Sequence, residues 1–172
     1  MSHEPGCPGR FVLDTNIALD LWVFDEPAVQ PLREALAAGA VWLGTPVMRE
    51  ELARVLAYPH LAARLVARAD ARAPDAATAN TAADVLARWD AAVTLQAVAP
   101  KARYTCTDAD DQKFIDLAAA HAPVPPGSGP GVVLVSKDKA VLRLKKRLAT
   151  LGVEVVRHWA APTSAPLHAP VH

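Results

Sequence analysis

Net charge is what this chain most conspicuously lacks: 18 basic residues are balanced by 18 acidic ones, for a formal charge of zero. A globally basic protein would gain affinity for nucleic acid by releasing counterions, so any such affinity here must come from a local patch. Aromatic residues are scarce too, at 5% against 52% apolar overall. The interior is therefore built mainly from Ala, Val and Leu, which suits helices packed closely on a sheet. Cys7 and Cys106 lie far apart without CxxC spacing, which excludes a zinc knuckle and a disulfide framework, and reduced thiols fit the cytosol. No apolar run approaches the roughly 18 residues of a membrane span, and the opening MSHEPGCPGR holds no apolar signal core. The expectation is a cytoplasmic protein with no membrane partner.

What is present is an alternation of two periods. Short apolar runs at 11–14, 40–45, 131–136 and 153–156, with a weaker one at 94–98, read as strands. Helical period marks 28–38, 46–57, 61–72, 80–92, 109–121 and 138–150. Alternating strands and helices imply an α/β fold with a mostly parallel central sheet of four to five strands, covered on both faces. One domain over 1–159 is expected. The Pro-rich remainder, 160–172, is expected to be extended or disordered. The segment APVPPGSGPG at 122–131 leads from a helix into a strand, so it belongs at the strand amino ends, away from the carboxyl ends where ligands bind in such sheets.

Several acids stand where that crevice should be. Asp14 closes FVLD and precedes Thr15 and Asn16, and Asp138 in LVSKDKAVL repeats the arrangement. Each could equally be an ordinary helix N-cap. In TPVMREELARVL, a 100° step per residue gathers Met48, Leu52, Val55 and Leu56 on one face, puts Glu50 opposite as a solvated partner of Arg54, and leaves Glu51 on the border. In TDADDQKFIDLAAAHA the same step joins Phe114, Ile115, Ala118 and Ala122, brings Asp111 to their face, and turns Gln112, Lys113 and Asp116 away. A carboxylate on a buried face requires a partner. The alternative is a capping arrangement of Asp108 and Asp111 at the helix start. Independent caps have no reason to converge, whereas these four acids can meet at one rim.

Taken in order, VLDTN (12–16), EELARVL (50–56), DADDQKFIDLAAAHA (108–122) and LVSKDKAVLRL (134–144) resemble a PIN domain, specifically the compact bacterial branch associated with toxin and antitoxin pairs. The resemblance implies a three-layer α/β/α fold and a metal-dependent endoribonuclease, with Asp14, Glu51, Asp111 and Asp138 as catalytic acids binding Mg²⁺ or Mn²⁺. Asp108 matches a further acid of this branch and joins them as a metal ligand. Asp108, Asp110 and Asp111 compete for the third place, with helical phase favouring Asp111. Asn16 and Ser136 match positions that support the first and last acids. The sequence SKD replaces the Thr, Gly, Asp of many relatives.

All-oxygen ligands without His or Cys select Mg²⁺ or Mn²⁺ over zinc. Carboxylates about 5 Å apart repel by about 3 kcal/mol per pair at an effective dielectric near 20, a strain that a proton or a divalent cation relieves. Phosphate contact is expected from Lys137, Lys139, Arg143 and Lys146, the last three recurring at helical spacing opposite Val141, Leu144 and Leu148. A solvated basic helix face is the plainer reading of the same residues. The implied substrate is RNA, single-stranded, and the implied partners are an antitoxin or a second copy of the chain. An exposed apolar groove for either is expected from Trp22, Trp42, Trp89 and Trp159. Two further readings compete: a PIN-like module that binds RNA or protein without cutting, and a haloacid-dehalogenase-like phosphatase. The latter needs a second acid two residues beyond the first, where this chain has Asn16.

Overall fold

A computed structural model describes residues 9–71 and 81–162. Strands β1 (Arg10–Leu13), β2 (Val41–Gly44), β3 (Val93–Leu95), β4 (Val132–Val135) and β5 (Val153–Val156) form one sheet in the order β3-β2-β1-β4-β5. Every pairing is parallel. Phe11, Val12 and Leu13 are all buried, because a strand covered on both faces has no polar side, which is why β1 reads as a continuous apolar run. The edges differ: Thr94 and Leu95 on β3 are exposed, and Glu154 on β5 stands in solvent between buried Val153 and Val155.

The helices are α1 (Thr15–Leu19), α2 (Gln30–Ala37), α3 (Pro46–Leu56), α4 (Pro59–Ala71), α5 (Ala82–Ala92), α6 (Gln112–His121), α7 (Lys139–Leu142) and α8 (Lys145–Ala149). A π-helical turn, Asp20–Phe24, continues α1. Local chemistry sets several starts: Pro46 opens α3 without needing its missing N–H, and Thr81 and Asp84 exchange hydrogen bonds in a capping box before α5. The α3 helix packs on α1, α4 and α5, whereas α6 packs on β1 and β4, and α7 and α8 on β5. Right-handed crossovers place the connections between β1 and β3 on one face and those into β4 and β5 on the other, giving the expected three-layer α/β/α architecture.

Some boundaries differ from expectation. The helix expected over 109–121 starts at Gln112, because Asp108 Oδ1 accepts the Asp110 amide at 2.9 Å and holds 108–111 in a turn. The helix expected over 138–150 is split into α7 and α8, with Leu144 N bonding to Val141 O at 3.0 Å across a tight turn. The weak strand at 94–98 is Val93–Leu95, after which only Gln96 N still bonds to Gly44 O, at 2.7 Å. The ends of two expected helices at 72 and 80, and the tail from 163, lie outside the described residues.

The tryptophans do not line an exposed groove. Trp42 and Trp89 are buried; half-buried Trp22 stacks on Trp42 at 5.2 Å, and half-buried Trp159 meets Phe11 edge-on at the same separation. They contribute to packing, as large aromatic side chains do more often than not. The Pro-rich segment reaches the amino end of the sheet, where Arg10 Nη2 at the start of β1 donates to Pro130 O at 2.8 Å. The loop is thus at the opposite end of β1 from Asp14.

Candidate active site

The order of the strands defines the site. The chain leaves β1 towards β2 and β3 on one side and returns to fill β4 and β5 on the other, so the connections diverge between β1 and β4 at their carboxyl ends. Asp14 is the first residue beyond β1, and its amide donates to Val135 O, at the end of β4, at 3.0 Å. Ser136 is the first residue beyond β4.

Ser136 is the hub. Fully buried, its Oγ donates to Asp14 Oδ2, 122 positions earlier in the sequence, at 2.7 Å and accepts the Asp138 amide at 3.1 Å, joining the first and last acids. Asp14 is only 3% exposed; it stands at the N-cap of α1, where the Asn16 amide favours its charged form, but capping alone does not account for so deeply buried a carboxylate. Asp138 does cap: its Oδ1 accepts the Ala140 amide at 2.6 Å. Its capping role and its place beside Asp14 coexist. Asn16 supports Asp14 through its main chain, its amide pulling the Asp14 carboxyl down, while its side chain is exposed.

The carboxylates act on one another. Burial, together with Glu51 and Asp138, raises the Asp14 carboxyl above its ordinary range, against the opposing Ser136 hydroxyl and Asn16 amide. Asp111 is pushed up to about 7, by burial first and then by Asp14, Asp138 and Asp108, with Lys113 offsetting part of the rise. Asp111 Oδ2 is buried and accepts no hydrogen bond from the described residues, and the side chain does not cap α6. Of the three competing acids, Asp111 is therefore the one turned inward. Asp110 is exposed, and exposed Asp108 closes the preceding turn while contributing to the field at Asp111.

Two cations complicate the expected picture. Lys113, expected to face away, forms an ion pair with Glu51 Oε2, and its Nζ also donates to Asp110 O. Gln112 and Asp116 do not face solvent either. Gln112 Nε2 donates to Asp116 Oδ1 at 2.7 Å, and Asp116 Oδ1 accepts the Ala102 amide at 2.8 Å, so both hold the loop that precedes α6. Helical phase misled at these positions because that loop covers a face which period alone assigns to water. Lys137, expected to contact phosphate, is taken up by Asp20: Nζ stands 2.6 Å from Oδ2 of that buried carboxylate. Lys139, Arg143 and Lys146, in and between the two helices that follow Asp138, are exposed and form no ion pair among the described residues. Asp20 was not anticipated, although an acid inside the apolar run IALDLWVF signals a buried partner.

Among the described residues no three acidic, histidine or cysteine side chains stand close enough to form a ready-made cation cage. Glu51 and Asp14 are instead drawn to Lys113 and Ser136.

This architecture and rim of acids have a family. The chain belongs to the PIN-domain family, whose model matches residues 10–124, from β1 through α6. The family's members are usually nucleases and generally use divalent metals such as Mg²⁺ or Mn²⁺. Neither the curated proteins nor the solved structures include a match to this chain. Ser136 and Asp138 lie beyond the matched stretch, and their place at the site rests on the bonds of Ser136. The residues fit a hard divalent cation in chemistry. They offer only oxygen ligands, burial and then their mutual repulsion raise Asp14 and Asp111, and Asp111 Oδ2 has no hydrogen-bond partner among the described residues.

Proposed function

We propose that the protein is a divalent-metal-dependent endoribonuclease that hydrolyses phosphodiester bonds in single-stranded RNA. The observation that carries this reading is Asp111 Oδ2: a buried carboxylate oxygen with no hydrogen-bond partner among the described residues, on a group that burial, and then the charges of Asp14 and Asp138, raise to about 7. A structural carboxylate would be paired or capped. One poised near neutral pH and left unpaired suits proton transfer and cation binding.

Asp14 and Asp138 would hold Mg²⁺ or Mn²⁺ directly, with Glu51 and Asp111 binding the ion or its water. The bound ion would neutralise charge on the scissile phosphate and acidify the attacking water. Ser136 fixes the Asp14 carboxylate and the Asp138 main chain in register, so both acids meet the substrate without reorganising. Asp111 Oδ2 is the atom suited to take a proton from water. Exposed Lys139, Arg143 and Lys146 follow Asp138 in the sequence and would neutralise neighbouring phosphates, a contribution that weakens as salt rises.

The test is incubation of a mixed single-stranded RNA, and of DNA of the same sequence, with Mn²⁺, with chelator, and with the Asp14→Asn variant. Cleavage of RNA is expected with Mn²⁺ and is lost with chelator. Removing an outer partner of a metal site typically lowers activity about 10- to 100-fold, so Asp14→Asn should lower it more. Cutting that persists unchanged in the chelator and variant arms rules the mechanism out. Binding of RNA without cutting points to a non-catalytic module. The toxin role follows the family resemblance: induction of the parent chain in a bacterial host should arrest growth, and induction of Asp14→Asn should not.

A further inference from the structure

Lys113 is an unusual neighbour for a site that gathers negative charge. Its side chain and that of Glu51 are 22% and 19% exposed, so their ion pair is largely withdrawn from water. The other acids are held differently: Asp14 by the Ser136 hydroxyl, Asp138 by the Ala140 amide, and Asp108 by the Asp110 amide. Among the described residues only Glu51, of the four principal acids, has a cation in salt-bridge contact. The ammonium is also anchored independently of Glu51, by Asp110 O and by the ring of Phe114, whose centroid is 4.8 Å away.

We propose that Lys113 is the built-in counter-cation of the site, holding Glu51 while no divalent ion is bound and surrendering that carboxylate when one binds. The inference rests on the reading of the site as a divalent-cation centre and adds what sets its affinity. An ammonium and a divalent ion on one carboxylate repel each other strongly in a partly buried setting. Binding therefore requires that the Lys113–Glu51 pair open, and the contacts to Asp110 and Phe114 give the released ammonium a place to stay. Lys113 is a positioning residue in this scheme: it acts on the reaction through Glu51.

Two measurements test this without relying on cleavage. The first is Mn²⁺ affinity, read from the paramagnetic resonance signal of free Mn²⁺, for the parent chain, Lys113→Met, Glu51→Gln and the double variant. Lys113→Met should bind Mn²⁺ about tenfold more tightly than the parent, within the usual range of coupling between sites. The gain should vanish when Glu51→Gln is already present. Equal or weaker binding by Lys113→Met overturns the proposal, and so does a gain that persists at full size without Glu51. The second measurement needs no substitution: acylation of Lys113 by an amine-reactive reagent, followed by mass spectrometry, should rise severalfold when Mn²⁺ is added. Unchanged labelling at saturating Mn²⁺ overturns it. A parent chain that binds no Mn²⁺ at all defeats both this inference and the metal-dependent reading, whereas binding that ignores Lys113 defeats only the inference.

Discussion

Asp111 joins burial, charge and protonation in one side chain. Its carboxyl is pushed from the ordinary 3.8 up to about 7 in the folded protein, so between those values the folded state holds a proton that the unfolded chain has lost. The stability this provides is full below about pH 4 and is lost as pH rises through 7; the raised Asp14 acts in the same direction. The cation-free protein should therefore melt at a higher temperature at pH 5.5 than at pH 8, in buffers containing chelator (scans at about those two pH values suffice to test it). Asp111→Asn, which removes the charge but keeps the shape, should raise the pH 8 melting temperature by a few degrees and flatten the dependence. A variant as pH-sensitive as the parent would show that the proton sits elsewhere. Ser136 makes the complementary case. Ser136→Ala leaves Asp14 Oδ2 without its donor and the Asp138 amide without its acceptor, and leaving buried groups unsatisfied costs about 1–3 kcal/mol each, which a urea titration would resolve.

At the scale of elements, the fit between β2, α5 and β3 depends on a missing side chain. A Cβ on Gly44 would come within 2.6 Å of Val93 Cγ1 and 2.9 Å of the Trp89 ring. Gly44→Ala should thus destabilise the protein by about 1–3 kcal/mol through overpacking, read as a lower denaturation midpoint with an unchanged slope. Elements were also where sequence periodicity succeeded and failed. Strands such as β1 and β4 and the apolar stripe of α3 follow from local pattern, and so does Glu51 at the border of that stripe, distinct from exposed Glu50. The start of α6 was misplaced because a side-chain turn at Asp108 competes with the helix. The single helix expected over 138–150 missed a turn at Arg143 and Leu144 that leaves the buried stripe of Val141, Leu144 and Leu148 intact. Period reports the stripe and is blind to a tightened turn that preserves it.

For the whole molecule, the decisive fact is that the last third of the chain returns to the middle of the sheet. β4 lies against β1, so the strand that carries Ser136 completes a sheet begun more than a hundred residues earlier. A chain ending at Val124, close to the limit of the family match, would expose the β1 edge and lose Ser136 and Asp138 together. Such a truncation is expected to be unfolded or aggregated by circular dichroism and size exclusion; a cooperative melt like that of the full chain would contradict the placement of β4 at the centre. Among the described residues no helix is long and apolar enough to cross a membrane, consistent with the absence of such a run in the sequence.

The sequence by itself determined the alternation of strands and helices, the parallel sheet, and the position of Asp14 and Asp138 just beyond strand ends. These depend on period and on near neighbours along the chain, and the topology of parallel sheets sends such residues to one rim. Only the tertiary structure decided that Ser136 bridges those two acids, that Lys113 turns inward to Glu51, and that Lys137 is held by Asp20. Each of these is a distance between groups on different elements, or on a loop folded over one, set by how helices and strands pack. No local pattern encodes that distance.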